Sequence, residues 1–467
     1  MSLNVEQLWN NELILKHDLS GPRYTSYPTA PQFKEGFTQQ QWMQAVKQSN
    51  ASKAPLSLYF HIPYCNTVCY YCACNKIITA NKKLAEPYVQ ALEKELALQA
   101  RYIDSDRTVD QLHWGGGTPT YLSDEQMTLL MRKTAEHFNL RKDDSGEYSI
   151  EVHPGGVTPK RLEHIRSLGF NRLSMGVQDF DPAVQKAVNR FNSFDEVNIL
   201  IKSAQQLGFE STSIDLIYGL PLQNQASFAK TLDKVLEIQP NRLSVFNYAH
   251  MPDLFKTQKQ IDASQLPAPH EKLSMLYNSI ERLLDAGYVY VGMDHFALPD
   301  DELAIAQKEG ILHRNFQGYA THGSCDLFAF GISSIASFGD VFIQNHKDTD
   351  EYYACLEKDL LPLYKGFKIN NDDKIRQAVI SELICHFKVD FAVIENRFAI
   401  NFNQYFEAEL TALLHLQNDG LLDVNEQSIN VHNVGRLLIR RICMVFDAYL
   451  NNAKNATDKG PKYSRII

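Results

Sequence analysis

Nothing near Met1 reads as a basic stretch followed by an apolar run of about 7 to 15 residues, so no secretory leader is legible and a cytoplasmic location is expected. No window reaches the ~18 uninterrupted apolar residues that a membrane span needs, and no membrane partner is expected. Basic residues are in the minority. Lys and Arg total 46 against 55 Asp and Glu, a net charge of -9, which argues against a general phosphate-backbone binder and leaves room for a local basic pocket only. Cysteine is scarce as well, with 8 in 467 residues. In a reducing compartment such cysteines are read as metal-binding or reactive rather than disulfide-forming. Four of the 8, Cys65, Cys69, Cys72 and Cys74, nevertheless fall within ten residues. The chain is 44% hydrophobic, ample for a large core and about two to three domains.

Short β-branched or aromatic runs recur along the chain at residues 56–62, 110–116, 148–153, 172–177, 212–220 and 242–249, with amphipathic stretches between them. Thr158 followed by Pro159 reads as a helix N-cap with proline in the first turn. Strands alternating with helices imply βαβ units and a parallel sheet. Six such units fit an open or partial barrel better than a closed eight-unit one. Reactive groups of a parallel barrel gather where strands end. The cysteine run, the glycines of "WGGGTP" (114–119), Glu151, Gln178, Asp215 and Ala249 all fall at or near such ends, so residues distant in sequence are expected to converge.

Cys65, Cys69 and Cys72 form C-x3-C-x2-C. That spacing lets three thiolates curl around one face of an iron-sulfur cube and leaves one iron without a protein ligand. A structural zinc site using Cys74 or His61 as fourth ligand is the alternative, although no second ligand pair is evident downstream. Cys325, Cys355, Cys385 and Cys443 stand singly in apolar or helical surroundings and read as small buried hydrophobes. Taken alone, the glycines could be tight turns, and Glu151 or Asp215 could be core carboxylates paired with a basic residue.

With Tyr71 as the aromatic before the third cysteine, the run resembles the radical S-adenosylmethionine superfamily. The blocks "GPRYTSYPTA", "HIPYC", "CACNK", "LHWGGGTPTYL", "GFNRLSMGVQDF", "STSIDLIYGLP", "SVFNYAHMP", "MDHFALPDDELA", "LHRNFQGY" and the ending "SRII" are similar, more narrowly, to the oxygen-independent coproporphyrinogen III oxidases, also called coproporphyrinogen dehydrogenases. The resemblance runs from about residue 10 to the C-terminus. It implies a 4Fe-4S cluster whose open iron binds S-adenosylmethionine, reductive cleavage to a 5'-deoxyadenosyl radical, and oxidative decarboxylation of two propionates of coproporphyrinogen III to vinyl groups. Protoporphyrinogen IX is then made without oxygen, for haem synthesis. An unidentified low-potential electron donor, a final electron acceptor and a monomeric chain are implied too, with no nucleic acid. A haem-binding or haem-transferring member of the superfamily is the alternative reading, disfavoured by Cys74 and the long C-terminal module.

Carried onto this chain, Cys65, Cys69 and Cys72 match the cluster ligands. Tyr59, Gly116, Glu151 and Ile335 match a first S-adenosylmethionine site. Tyr71, Gly117, Thr118, Gln178, Arg190, Asp215 and Ala249 match a second. Cys74, a non-ligand, and Arg23 are expected to serve the substrate, Arg23 as a carboxylate anchor with Lys76 and Arg314 behind it. One departure is His153, where the family commonly has aspartate; it shares a strand face with Glu151 and reads as a satisfied structural histidine.

The resemblance and the patterning together divide the chain into an N-terminal extension over the active site (1–50), a partial (β/α)6 radical S-adenosylmethionine barrel (51–290), a connecting segment completing the cofactor site (291–373), a mainly helical, winged-helix-like domain (374–450) and a polar tail (451–467). In the fourth segment, helices precede a hairpin with Asn425, Glu426 and Gln427 near its turn. A DNA-binding role for that module, supported by Arg436, Arg440 and Arg441, is the rival to a lid over the substrate; no long basic stripe accompanies those arginines, which favours the lid. The stretch 451–462 is expected to be mobile.

Overall fold

The structure is a computed structural model and describes residues 3–450 and 463–467. Two compact units are present, each discontinuous in sequence. The core unit comprises residues 33–272 and 324–368, and the second unit residues 1–32, 273–323 and 369–467. Sequence order alone suggested consecutive segments; the units instead group residues by contact, so that the helix Gln39–Ser52 belongs with the core.

Six parallel strands run through the core unit in sequence order: β1 (Leu56–Ile62), β2 (Thr108–Gly116), β3 (Glu147–Val152), β4 (Arg172–Gln178), β5 (Ser211–Tyr218) and β6 (Arg242–Asn247). These are the six strands legible in the sequence. A seventh, β7 (Asp326–Phe330), pairs in parallel with the other side of β1, and antiparallel strands at Ile335–Phe338, Val341–Asn345, Leu363–Lys368 and Lys34–Glu35 continue outward from it. In β1 every side chain but that of Tyr59 is buried, as expected of a parallel strand covered on both faces.

One main helix follows each of the first five strands, α1 (Ala85–Ala100), α2 (Asp124–His137), α3 (Pro159–Ser167), α4 (Phe194–Gln206) and α5 (Gln225–Ile238), with a shorter helix, Pro182–Val188, ahead of α4. Their starts are set locally. Ser123 with Gln126, Ser193 with Glu196 and Asn224 with Ser227 form capping boxes, satisfying backbone N–H groups that a helix leaves open. Thr158 caps α3 with Pro159 behind it, as the sequence indicates. In α4 the face of Val197, Leu200, Ile201 and Ala204 is buried, the three- and four-residue spacing of an amphipathic helix.

The second unit is mainly helical. Its C-terminal part holds the helices Asn371–His386, Phe391–Phe398 and Glu407–Asn418, and a three-stranded antiparallel sheet in the order Lys388–Asp390, Ser428–Val431, Leu422–Val424. The hairpin turns at residues 425–427, as the sequence suggests, and the third strand, Lys388–Asp390, is an addition. Two of the three arginines weighed for DNA contact are used in internal hydrogen bonds, and the third, Arg436, lies over the Phe387 ring. Arg440 is buried and donates to the carbonyls of Gly21, Pro22, Arg465 and Ile466, and Arg441 reaches His415. The terminal "SRII" is tied down by the Ile466 N–H on the Leu19 carbonyl and by an Arg465–Asp18 ion pair; the expectation for 451–462 lies outside the described residues. Cys385 and Cys443 are buried as expected, whereas Cys325 and Cys355 are only half-buried. Among the described residues no helix is long and apolar enough to cross a membrane.

Candidate active site

The cysteine loop leaves β1 at its C-terminal end and is held by the chain around it. Tyr64–Cys65 pairs with Ile77–Ile78, closing the loop on itself. Tyr70 N–H donates to the Val188 carbonyl at 3.0 Å, and the Asn189 amide donates to the Val68 carbonyl at 2.7 Å. Lys76 donates to the carbonyls of Cys72 (2.9 Å) and Cys74 (3.3 Å), and the Thr257 hydroxyl also donates to Cys72 (3.1 Å). Lys76 therefore braces the loop backbone. That is a different use from the substrate carboxylate for which the sequence made it a reserve candidate.

The loop opens on a cavity of about 780 Å³ in the core unit, and four strand ends supply its other walls. Of the residues singled out in the sequence, Cys65, Cys69, Tyr71, Cys72 and Cys74 line it from the loop, Gly116, Gly117 and Thr118 from the end of β2, Glu151 from β3, Gln178 from β4 and Asp215 from β5, together with Arg190. His153 and Lys76 line it too. Tyr59, Ala249 and Ile335 stand one step back. The Tyr59 hydroxyl lies 3.1 Å from His61 Nδ1, and its ring stacks on His113. The Ala249 carbonyl accepts from Gln258 Nε2, which also donates to the Tyr71 carbonyl, so one amide joins the end of β6 to the cysteine loop. Ile335 begins the strand after β7 and is half-buried. Arg23 belongs to the second unit, where it pairs with Asp294 at 2.5 Å.

Two glycines of the β2 end are required by space. A Cβ on Gly117 would lie 2.5 Å from the Pro63 carbonyl oxygen, and one on Gly116, whose φ is +110°, would lie 2.5 Å from the His61 ring. The Gly116 N–H donates to Glu151 Oε2 at 3.1 Å, and His113 Nε2 sits 3.2 Å from Oε1. Desolvation pushes the Glu151 carboxyl upward, but the His113 contact and the Gly116 N–H outweigh it, and its pKa ends below the usual carboxylate value. Asp215 lacks such support: burial and the nearby Glu151 raise it to about 6, against hydrogen bonds from Ser244 and Ser174. His61 Nε2 donates to the Asn75 carbonyl at 2.9 Å, so its Nδ1 is the acceptor for Tyr59.

The sulfur atoms have donors. Thr118 Oγ1 is 3.4 Å from Cys65 Sγ, and Arg190 Nη1 points at Cys69 Sγ from 3.8 Å while its other nitrogen donates to the Gly176 carbonyl. A hydrogen bond with Cys74, aided by the Lys76 charge, pulls the Cys72 thiol down to about 6 against its burial. Three thiols on one wall, one of them easily ionised and another facing an arginine, form a soft, anion-tolerant donor set of the kind that holds iron-sulfur clusters. Among the described residues no three His, Cys, Asp or Glu side chains gather tightly around a single point. A four-iron cube takes each thiolate on a different iron and does not ask them to.

Three supporting residues escape the sequence reading. Gln178 has a φ of +71°, unusual for a non-glycine residue, and follows a register shift in β4. The next residue holds it there. Asp179 is buried, and its carboxylate accepts from Thr231 Oγ1 (2.6 Å), the Asp181 N–H (2.7 Å) and Gln223 Nε2 (2.5 Å). Gly176 makes room for Arg190, since a Cβ there would lie 3.0 Å from Nη2. The mid-strand glycine of "SMGVQ" is a signal that could have found it. The Gln258 bridge has no local signal. Asp179→Asn turns an acceptor into a donor facing donors, a loss of about 1–3 kcal/mol in a buried network. It is expected to lower product formation at least several-fold with iron content unchanged. Unchanged turnover would show that the Gln178 backbone is fixed without Asp179. His153 accepts from the Gly155 N–H at 3.2 Å, and burial with Arg190 nearby lowers it to about 3, so it is a neutral, turn-closing histidine that also faces the cavity.

Residues 59–235 match the Radical SAM superfamily and residues 369–438 the HemN C-terminal domain. Oxygen-independent coproporphyrinogen III oxidase of Pseudomonas aeruginosa is 48% identical, covering 98% of this chain and 99% of that protein. The protein of the same name from Escherichia coli is 48% identical over the whole of both chains, and that of Synechocystis 46% identical over 98% of this chain and 97% of its own length. A solved structure of coproporphyrinogen III oxidase (HemN) from Escherichia coli, described as a radical SAM enzyme, superposes with a TM-score of 0.90 at 47% identity, over 95% of this chain and 100% of that one. With its thiol-lined cavity at the ends of five of the six parallel strands and relatives that match it end to end, the chain belongs to the oxygen-independent coproporphyrinogen III oxidase family of the radical SAM superfamily.

Proposed function

We propose that this chain converts coproporphyrinogen III to protoporphyrinogen IX by anaerobic oxidative decarboxylation of two propionate side chains. The observation that carries the reading is the cavity itself, where the C-x3-C-x2-C thiols face Glu151, Arg190, Gln178 and Asp215, in a chain matched end to end by oxidases of that name. Cys65, Cys69 and Cys72 would hold a 4Fe-4S cluster, which together with S-adenosylmethionine supplies a 5'-deoxyadenosyl radical when bound. The chain's own residues position and shield. Gly116 and Gly117 let the end of β2 close on His61 and Pro63, Glu151 offers a fixed anionic acceptor, Arg190 provides a cation from the loop before α4, and Asp215 provides a titratable acid on β5. Tyr59, Gly116, Glu151 and Ile335 are assigned to one S-adenosylmethionine site. Tyr71, Gly117, Thr118, Gln178, Arg190, Asp215 and Ala249 are assigned to a second. Cys74 and Arg23 are assigned to the substrate.

The test is an anaerobic assay of the reconstituted protein with coproporphyrinogen III, a strong reductant and S-adenosylmethionine, followed by chromatography of the oxidised porphyrins. A two-step loss of carbon dioxide through a tricarboxylic intermediate is expected. Cleavage of S-adenosylmethionine without any change to the tetrapyrrole would overturn the assignment. The haem-transferring alternative is not favoured, because the full-length relatives carry the oxidase name.

Cys74 separates binding from turnover within this site. It lines the cavity two residues beyond Cys72, and a fourth thiolate on the cluster would occupy the iron that the cofactor needs. Cys74→Ser is expected to keep full iron and sulfide content and to form less product, by roughly five-fold for one lost contact of about 1 kcal/mol. Loss of the cluster in this variant would make Cys74 a ligand.

A further inference from the structure

One carboxylate of the core unit is wholly buried and stands apart from the cavity. Glu95, on α1, is 0% exposed, and four donors converge on its two oxygens. The Gly331 N–H (2.8 Å) and the Tyr352 hydroxyl (2.6 Å) reach Oε2, while the side-chain amides of Asn345 (2.7 Å) and Gln99 (3.1 Å) reach Oε1. A carboxylate accepts from all four, and a carboxamide cannot. Burial opposes the charge and, against those hydrogen bonds, pushes the carboxyl up to about 7. For packing alone an apolar side chain serves at least as well in such a place, so the network has another use.

The partners of Glu95 lead to the cysteine loop by two routes. Gly331 follows β7 and opens the turn that delivers Ile335. In that turn the Ile332 N–H donates to the Tyr88 hydroxyl (3.0 Å), which donates to the His61 carbonyl (2.8 Å). The approach is close: a Cβ on Gly331, whose φ is +94°, would lie 2.7 Å from the same carbonyl oxygen. His61 Nε2 then donates to the Asn75 carbonyl at 2.9 Å. On the second route, Asn345 donates to the Gly331 carbonyl as well (3.0 Å), and residues 345–347 are laced to the turn. There the Ser333 N–H donates to the His346 carbonyl (2.7 Å) and the Asn345 N–H to the Ser334 carbonyl (3.0 Å). The Lys347 carbonyl accepts from the Asn75 side-chain amide at 3.1 Å. Asn75 sits between Cys74 and Lys76, so its carbonyl and its amide are gripped by two groups that trace back to one buried carboxylate.

We propose that Glu95 is a positioning residue for the cysteine loop, acting through the two-sided clamp on Asn75. The inference rests on the reading of Cys65, Cys69 and Cys72 as cluster ligands. With the clamp closed the loop keeps its thiols on the cavity wall, and with it released the loop opens locally while the rest of the core stays folded.

The test follows loop opening in the full-length reconstituted enzyme as the rate at which iron passes to excess chelator, with the melting temperature measured alongside. Glu95→Gln keeps the side chain's size and turns an amide toward donors. It is expected to assemble a full cluster and to lose iron roughly five-fold faster than native. Asn75→Ala frees the side-chain half of the clamp and should also lose iron faster. The double variant should be no faster than Glu95→Gln alone, because the first substitution has already released what the second removes. Val235→Ala is the control for general weakening: it is buried near the C-terminus of α5, where the chain returns to the start of β6, at the opposite end of the strands. It should lower the melting temperature and leave iron release unchanged. Effects of Glu95→Gln and Asn75→Ala that multiply, or iron release from Glu95→Gln no faster than from Val235→Ala, would make Glu95 a core residue only and overturn the proposal. Should Glu95→Gln not fold, Tyr352→Phe, which removes one of the four donors, takes its place in the same cycle, with a smaller effect of the same kind. If the native chain assembles no cluster, the reading of the cysteines fails separately. The clamp is then judged by alkylation of Cys74, next to Asn75, with iodoacetamide: faster labelling in Glu95→Gln than in native and Val235→Ala upholds it, and equal rates sink it.

Discussion

Replacing Cys65, Cys69 or Cys72 with alanine should leave a folded chain that retains no intact cluster and forms no product. The three thiols are half-buried on a loop lining the cavity, while the large side chains of the core, such as Phe60, Trp114 and Phe330, are fully buried on the strands and pack on one another. Removing one sulfur thus costs little packing, and circular dichroism and melting temperature should stay close to native. The cluster is different. A cube with three protein thiolates already has one iron open, and a second open iron leaves it exposed to solvent and to loss of iron. Activity is expected at background in all three variants, with iron and sulfide far below native after identical reconstitution. Full iron content in all three would defeat the assignment of these residues as ligands.

Glu151→Gln should weaken S-adenosylmethionine binding by about ten- to hundred-fold, the loss of one charge-assisted hydrogen bond of about 1.5–3 kcal/mol. The carboxylate is held between the Gly116 N–H and His113 Nε2, and its environment keeps it ionised. Glutamine preserves shape and one acceptor while removing the charge. Because Glu151 lies on β3 and the cysteine loop follows β1, the cluster should assemble normally. Titration of the reconstituted variant with S-adenosylmethionine, alongside an iron determination, checks both halves. Unaltered affinity would remove Glu151 from the cofactor site, and a parallel loss of iron would mean that it supports the loop instead.

The two variants differ in how visible their targets are in the sequence. The cysteines declare themselves by spacing, because three ligands of one cluster must come from a chain segment short enough to wrap it. Glu151 is one acidic residue among 55 Asp and Glu, and only its place at a strand end and the family resemblance distinguish it. Asp179 is less visible still. Its partners Gln223 and Thr231 are 44 and 52 residues away, and nothing within "GVQDF" says that the carboxylate turns inward. Arg440 shows the reverse error: grouped with Arg436 and Arg441 it reads as basic surface, yet its side chain is buried against carbonyls from both ends of the chain.

The sequence by itself determined the six parallel strands, the helices between them, the metal-binding character of the cysteine run and the family. Each of these rests on information carried locally: the alternation of buried strands and amphipathic helices, the capping residues, and the ligand spacing. Only the tertiary structure decided which of the matched residues line the cavity and which, like Tyr59 and Ala249, stand behind it. It also decided that residues 33–50 and 324–368 belong with the core unit and that Lys76 braces the loop. The physical reason is one of range. A chain segment encodes which of its faces must leave water, but the partner that meets that face, or fails to, is supplied by residues tens or hundreds of positions away.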